Sequence, residues 1–340
     1  MIRAIALMTA TLAALFATGA GAATPAFAPQ GGAEAAMEAE LEARLTNTPF
    51  TIKFAKKARD LVEDTALRTD AVFADGVEMR FKIRRANPGA TEFNNEPRYE
   101  RASYVLQQLL VDRSESIVPV TVLRPLPLEM LRAWTPEADP TFRSSTDVLA
   151  VIQHWLPDIV GPDDAWDPAR FEADPKYARQ IANVNILSFL IRHKDSNKGN
   201  ILLSADPAVG RAWLIDSGVA FASARSDRGT LWKDIRVPRV PADTIARVRA
   251  LDLARLSAAL GVVAQYEVRD HRLVAVPPTA SFHKHEGVRR SRNVIQLGLT
   301  MTELADLEER RKALLAKVDA GSLSTFDAPP APVPASVTPP

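Results

Sequence analysis

No cysteine occurs among the 340 residues, which removes disulfides, thiol nucleophiles, iron–sulfur clusters and cysteine-ligated zinc from the available chemistry. An excess of one charge sign is missing too: 42 Lys plus Arg face 41 Asp plus Glu, a formal net charge of +1. With both signs mixed along the chain, no global field attracts nucleic acid or anionic lipid, and neither is expected as the main partner. Beyond the first residues, no run is apolar enough to cross a bilayer. The chain also lacks Gly-x-Ser-x-Gly, His-Glu-x-x-His and Gly-x-x-x-x-Gly-Lys, which counts against serine hydrolases, common metalloproteases and P-loop enzymes. What is present is ordinary for a folded protein, with 46% hydrophobic and 24% charged residues. Any chemistry falls to Ser, His, Lys, Arg and carboxylates.

Both ends differ from the body. Arg3, an uncharged apolar stretch from Ile5 to Ala17, and small residues at Ala20-Gly21-Ala22 and Ala26-Phe27-Ala28 read as an export signal over residues 1–22. The expected location is therefore periplasmic or secreted, with no membrane contact beyond the signal. A flexible leader with a short helix around Glu38 to Leu45 follows over residues 23–48, and residues 327–340 form a Pro-rich tail. The body between them has room for one large domain or two lobes.

Within the body, Ala71-Val72-Phe73, the turn dipeptide Asp75-Gly76 and the alternating run Val77 to Arg84 predict a β-hairpin. Period two puts Phe81 and Ile83 on one face, and Lys82 with Glu78, Arg80 and Arg84 on the other. Asn94-Asn95-Glu96-Pro97 opens a helix, with Ala102, Leu106, Leu109 and Leu110 as its apolar stripe and Glu96, Glu100, Ser103 and Gln107 as a polar face. A strand is expected at Val118 to Leu123, another strand or the approach to a hinge at Asp147 to Trp155, and a mostly apolar helix from Ala178 to Arg192. The short strands Ile201-Leu202-Leu203 and Ala212 to Ile215 follow. Helices are expected at Pro241 to Leu260 and Thr302 to Val318, the latter with Thr300 and Glu303 at capping-box spacing and Gly321 as a stop. Strands with one helix, then mainly helices, predict an α+β fold.

The segment His193-Lys194-Asp195-Ser196-Asn197-Lys198-Gly199-Asn200, followed by Asp216-Ser217-Gly218, concentrates oxygen-bearing side chains after a helix and around a strand pair. Phosphoryl transfer uses such a set: a carboxylate for the attacking hydroxyl, and an amide oxygen plus another carboxylate for magnesium. Singly, each piece is also ordinary turn chemistry, with Asp, Ser and Asn capping backbone groups. The ordered pattern His-x-Asp-x-x-x-x-Asn then Asp-x-Gly resembles the catalytic and metal loops of the protein-kinase-like superfamily. It looks closest to the atypical branch, being similar to secretory-pathway kinases of the Golgi casein-kinase type, phosphoinositide kinases and HipA-type kinases.

The resemblance covers roughly Phe73 to Phe221 and implies a two-lobed fold, with a small strand-rich lobe over residues 49–155 and a mainly helical one over 156–326. It implies that Asp195 is the catalytic acid/base, that Asn200 and Asp216 hold Mg2+, and that Lys82 with Glu100 contacts ATP. Glu96 competes with Glu100 for the lysine partner, and the aromatic spacing of the helix favours Glu100. The function implied is an exported kinase moving the ATP γ-phosphoryl to a hydroxyl-bearing protein, lipid or small molecule. The alternatives are an inactive kinase-like binding module and nucleotidyl transfer. The chain departs from ordinary protein kinases in three ways: no Gly-x-Gly-x-x-Gly precedes Lys82, Asn197 stands two residues after Asp195, and Ser217 follows Asp216. Elsewhere, His193 reads as a structural residue bonding backbone, His283-Lys284-His285 as an exposed loop, and Arg289-Arg290-Ser291-Arg292 as a solvated charged face.

Overall fold

Helix α1 (Ala33–Asn47) leads into three antiparallel strands, β1 (Phe50–Lys57), β2 (Ala66–Phe73) and β3 (Glu78–Arg85). The β2–β3 turn is the one expected from Asp75-Gly76: Gly76 adopts φ +84° and its N–H reaches the Phe73 carbonyl at 2.9 Å. Helix α2 (Pro97–Leu110) starts with Pro97 in its first turn, where a missing N–H costs nothing. The chain then forms β4 (Thr121–Pro127), α3 (Leu128–Arg132) and β5 (Asp147–His154), completing a five-stranded antiparallel sheet in the order β1-β2-β3-β5-β4. The structure is a computed structural model that describes residues 32–58, 66–91, 96–196, 199–221 and 230–327. The expected signal at 1–22, residues 23–31 of the leader, the Asn94-Asn95 helix opening, Asn197, Lys198 and the tail beyond Asp327 lie outside the described residues.

Strand β4 starts three residues later than the sequence suggests and runs through Pro125 and Pro127. Proline is tolerated there because β4 is the edge of its sheet. Strand β5 is buried along nearly all its length, which explains its continuous apolar run from Val148 to Ile152. Its alternate residues serve two cores: Val148, Ala150 and Ile152 join the main one, while Leu149 and Val151 join a second with Tyr266, Leu273, Ile295 and Leu297.

After β6 (Ile159–Val160) and α4 (Pro168–Ala173), helix α5 (Pro175–Ile191) runs through the main core. Asp174 caps it, accepting from the N–H groups of Lys176 and Tyr177. Its buried Asn185 is partnered: the side chain accepts from the N–H groups of Arg236 and Val237 and donates to the Asp234 carbonyl. Strands β7 (Ile201–Ser204) and β8 (Ala212–Leu214) pair antiparallel just beyond.

The remainder comprises β9 (Arg239–Pro241), α6 (Ala242–Ala250), α7 (Leu253–Leu260), β10 (Ala264–Arg269), β11 (Arg272–Ala275), β12 (Val288–Ser291), β13 (Val294–Leu297), α8 (Met301–Asp319) and β14 (Ser324–Phe326). The single helix expected from Pro241 to Leu260 is two, broken where Asp252 caps α7. Helix α8 has the expected capping box between Thr300 and Glu303.

Strands β10–β13 correct the expectation of a mainly helical second half, forming a four-stranded sheet that packs through Tyr266 and Leu273 onto β4 and β5. Tyr266 donates to the Leu123 carbonyl at 3.0 Å, and Asp147 takes the Arg272 guanidinium and the Leu273 N–H. Arg289 is also corrected: it is buried, with its guanidinium donating to the carbonyls of His283, Gly261 and Leu299. His283 to His285 is an exposed loop, as expected. The fold is mixed α+β, and no helix among the described residues is long and apolar enough to cross a membrane.

Candidate functional site

Four parts of the chain meet beside β3. Lys82 lies opposite Gln153 and Arg84 opposite Val151, so both cations share one face of the sheet. Helix α2 brings Glu100, which is 3% exposed although its own sequence face is polar. The α5–β7 loop brings Asp195 and Asn200, and the chain leaving β8 brings Asp216. Lys82 Nζ is ion-paired with Asp216 Oδ1. Arg84 Nη1 lies 3.3 Å from Glu100 Oε1 and 3.6 Å from Asp216 Oδ1. Asn200 Nδ2 donates to the Asp195 carbonyl at 2.6 Å and to Asp195 Oδ2 at 3.2 Å.

The two loops are joined by backbone. The Ile215 N–H donates to the Asn200 carbonyl at 2.9 Å, the Lys194 N–H to Val219 at 3.2 Å and the Phe221 N–H to Ile191 at 2.6 Å. Lys82, Arg84, Glu100 and Asp216 therefore form one linked set, although Lys82 and Asp216 are 134 positions apart, and the backbone bonds place the Asp195–Asn200 pair in the adjoining loop. The pairing differs from the sequence expectation in one respect: Lys82 closes onto Asp216, and Arg84 takes Glu100. Glu96 instead bonds Arg98 and Thr91.

Backbone conformation marks the same place. Asp216 (φ 56°), Arg192 (φ 49°) and Phe221 (φ 55°) are left-handed non-glycine residues, a costly conformation for a side chain as bulky as phenylalanine. The Glu100 carboxylate helps hold the turn at Asp216, with Oε2 accepting the Ser217 N–H at 3.1 Å. Burial pushes the Glu100 carboxyl above its ordinary range and the Asp216 charge adds to this, while Lys82, Arg84 and the Ser217 N–H oppose it.

His193 is a buried joint between the loops. Nδ1 accepts the Asp195 N–H at 3.3 Å, so Nε2 carries the proton toward the Ile215 carbonyl 3.1 Å away. Burial lowers its pKa from 6.5, outweighing the Ile215 carbonyl and the nearby Asp195 and Asp216 charges. The unfolded state then binds this proton more readily than the folded state. The contribution to stability is complete above about pH 6.5 and is lost as pH falls through the lower folded value. Urea midpoints taken between about pH 7.5 and pH 5 should fall less steeply in His193→Gln than in the parent; equal slopes would refute the buried neutral histidine.

No group of three His, Asp or Glu side chains suited to a metal occurs among the described residues. A magnesium ion, however, commonly takes one or two protein oxygens and draws the rest from phosphates and water. Asn200 Oδ1 is buried without a hydrogen-bond partner, an unmet acceptor on the amide whose Nδ2 bonds Asp195. The donor set of Asn200 and Asp216 thus fits a hard cation. A cavity of about 830 Å³ lies elsewhere, lined by Lys176, Arg179, Gln180, Arg211 and Trp213, and none of the five site residues borders it. It sits at the N-terminal end of α5, while Asp195 follows the opposite end of that 17-residue helix, about 25 Å along the axis.

Arg84 and the Ser217 N–H were missed as site groups in the sequence. Arg84 was recoverable, because period two places it beside Lys82; a backbone N–H carries no residue-type signal.

The fold class is α+β, and the site is a cluster of Lys, Arg, Asn and carboxylates on one sheet face and two loops. No family model matches the chain, and no curated protein matches it. Among solved structures, the "FAT and kinase domain of CtTel1" aligns over 57% of this chain at 13% identity with a TM-score of 0.26. The alignment covers 16% of that chain.

Proposed function

We propose that the chain is a kinase-like phosphotransferase that moves the γ-phosphoryl of ATP to a hydroxyl acceptor. The observation that carries this reading is the Lys82–Asp216 pair beside Glu100, with the Asp195–Asn200 pair in a loop bonded by backbone to the Asp216 segment. Kinases carry their phosphate lysine on the third strand and its glutamate on the next helix; here Lys82 is on β3 and Glu100 on α2. The proposal extends to a two-lobed arrangement, with β1–β5 and α2 as the smaller part, and to export directed by the segment after Arg3.

In this mechanism Asp195 orients the acceptor hydroxyl and accepts its proton, positioned by its bonds to Asn200 and His193. Lys82 leaves Asp216 to contact the phosphates. Asn200 and Asp216 would hold Mg2+, which when bound neutralises phosphate charge. Without a Gly-x-Gly-x-x-Gly loop, the β3 cations bear more of the phosphate contact than in ordinary protein kinases.

A thermal-shift titration of the full chain tests the site directly. ATP with magnesium should raise the melting temperature, by about 2.7 kcal/mol of linkage at a hundredfold excess over Kd. Asp216→Ala should lose the magnesium-dependent part. Mass spectrometry of products then separates phosphoryl from nucleotidyl addition. A second reading, a binding module without turnover, is favoured by the Lys82–Asp216 pair, which occupies a proposed metal ligand; binding without product would select it. Absence of any magnesium- and ATP-dependent shift would end both.

A further inference from the structure

Strand β3 presents two cations to the site, and the proposed reaction uses only Lys82. Arg84 is as well placed: its side chain is 18% exposed, with Nη1 3.3 Å from Glu100 Oε1 and 3.6 Å from Asp216 Oδ1. The Glu100 carboxylate is held from two sides, by the Arg84 guanidinium and by the Ser217 N–H at 3.1 Å. Ser217 is the residue after Asp216, whose left-handed backbone needs outside support. A guanidinium suits this bridging task, since its planar fork reaches two carboxylates at once while an ammonium acts as a point charge.

We infer that Arg84 is a positioning residue that takes the glutamate pairing from Lys82: it clamps Glu100, and through Glu100 the Ser217 N–H, so that Asp216 keeps its cation-binding turn. The inference rests on the phosphotransferase reading and deepens it. Lys82 is hydrogen-bonded to Asp216 and not to Glu100, whose charge it favours only at longer range, so its move to phosphate breaks the Asp216 pair and leaves the Arg84–Glu100 hydrogen bond in place. The cluster of two cations and two carboxylates stays neutral while Lys82 is home. Removing Arg84 would leave the buried Glu100 carboxylate with the Ser217 N–H and the more distant Lys82 charge.

The test is a pair of double-mutant cycles in the full chain, built from Arg84→Gln, Lys82→Gln and Glu100→Gln. Each is read by urea unfolding without ligand and by calorimetric Kd for ATP with and without magnesium. Arg84→Gln should weaken magnesium-dependent ATP binding by about 10–100-fold, the usual effect of losing an outer-shell partner. It should change ATP binding without magnesium by less than about threefold, and Arg84→Lys should restore part of the loss. Arg84 and Glu100 should be non-additive in both readouts, and the Lys82–Glu100 coupling in unfolding, carried by charge without a hydrogen bond, should be the smaller of the two.

The inference is overturned if Lys82 and Glu100 are the more strongly coupled pair, or if Arg84→Gln weakens ATP equally with and without magnesium. Failure of the parent protein to bind ATP with magnesium would instead overturn the phosphotransferase reading, and with it the role toward the cation. The unfolding cycle would then still decide whether Arg84 clamps Glu100.

Discussion

Asp195→Ala is expected to lower phosphoryl transfer by about 10²–10⁴-fold, the range for loss of a positioned general base. That corresponds to about 3–5 kcal/mol of transition-state stabilisation, at 1.36 kcal/mol per tenfold. The affinity for ATP with magnesium should change only a few-fold, because the proposed cation ligands Asn200 and Asp216 remain. The loop should also survive, since the backbone carbonyl of residue 195 still accepts Asn200 Nδ2, and the N–H still donates to His193. Asp216→Ala should show the opposite pattern, losing magnesium-dependent binding first. Single-turnover kinetics alongside binding isotherms distinguish the two variants. Turnover unchanged in Asp195→Ala would remove the residue from the chemistry, and equal loss of binding in both variants would reassign it to the cation.

The second large effect concerns stability and how α2 is anchored. Arg98 donates to both oxygens of Glu303, at 2.6 and 2.9 Å, and also to the Gly298 carbonyl. The Tyr99 hydroxyl donates to the same carboxylate, and its ring lies 5.3 Å from that of Phe221. Arg98 and Glu303 are 8% and 4% exposed. The approach depends on a glycine, because a Cβ on Gly287 would lie 2.3 Å from Arg98 Cζ. Burial opposes ionisation of Glu303, but Arg98, Tyr99 and the Thr300 N–H outweigh it and hold the carboxyl below its usual range.

Glu303→Ala removes the carboxylate that takes two Arg98 bonds, leaving the buried guanidinium with Glu96 and the Gly298 carbonyl, and removes the α8 capping box, so a cost of about 3 kcal/mol is expected. At about 2–4 °C per kcal/mol for a chain of this size class, the melting temperature should fall by on the order of 10 °C. The double variant Arg98→Met with Glu303→Leu should recover much of the loss, since it leaves no unpaired buried charge. A fall of less than about 1 kcal/mol in Glu303→Ala would place the cluster among ordinary surface pairs. Because Tyr99 sits one residue before Glu100, the same variant should also weaken magnesium-dependent ATP binding if α2 shifts.

Elements with local signals were legible in the sequence. Asp75-Gly76 marks the β2–β3 turn, Pro97 the start of α2, and Thr300 with Glu303 the cap of α8, because each rests on contacts within a few residues. The β10–β13 sheet was not legible. Its strands are four to six residues long, and β12 reads Val-Arg-Arg-Ser. Its hairpin turn at Asp270-His271 takes φ 49° and 60° without a glycine to announce it. Arg289 misleads for a related reason: a charged residue reads as solvated until the carbonyls that enclose it are known.

The candidate site divides along the same line. The resemblance to kinase-like motifs singled out Lys82, Glu100, Asp195, Asn200 and Asp216 as candidates, because motif order and strand periodicity are properties of the chain itself. The lack of cysteine and of net charge also narrowed the chemistry to oxygen ligands and a few cations. Which cation meets which carboxylate was a tertiary matter. Lys82 on Asp216 and Arg84 on Glu100 depend on how β3, α2 and the chain after β8 approach one another, and Coulomb energy between groups a few ångströms apart is decided by that approach rather than by order along the chain.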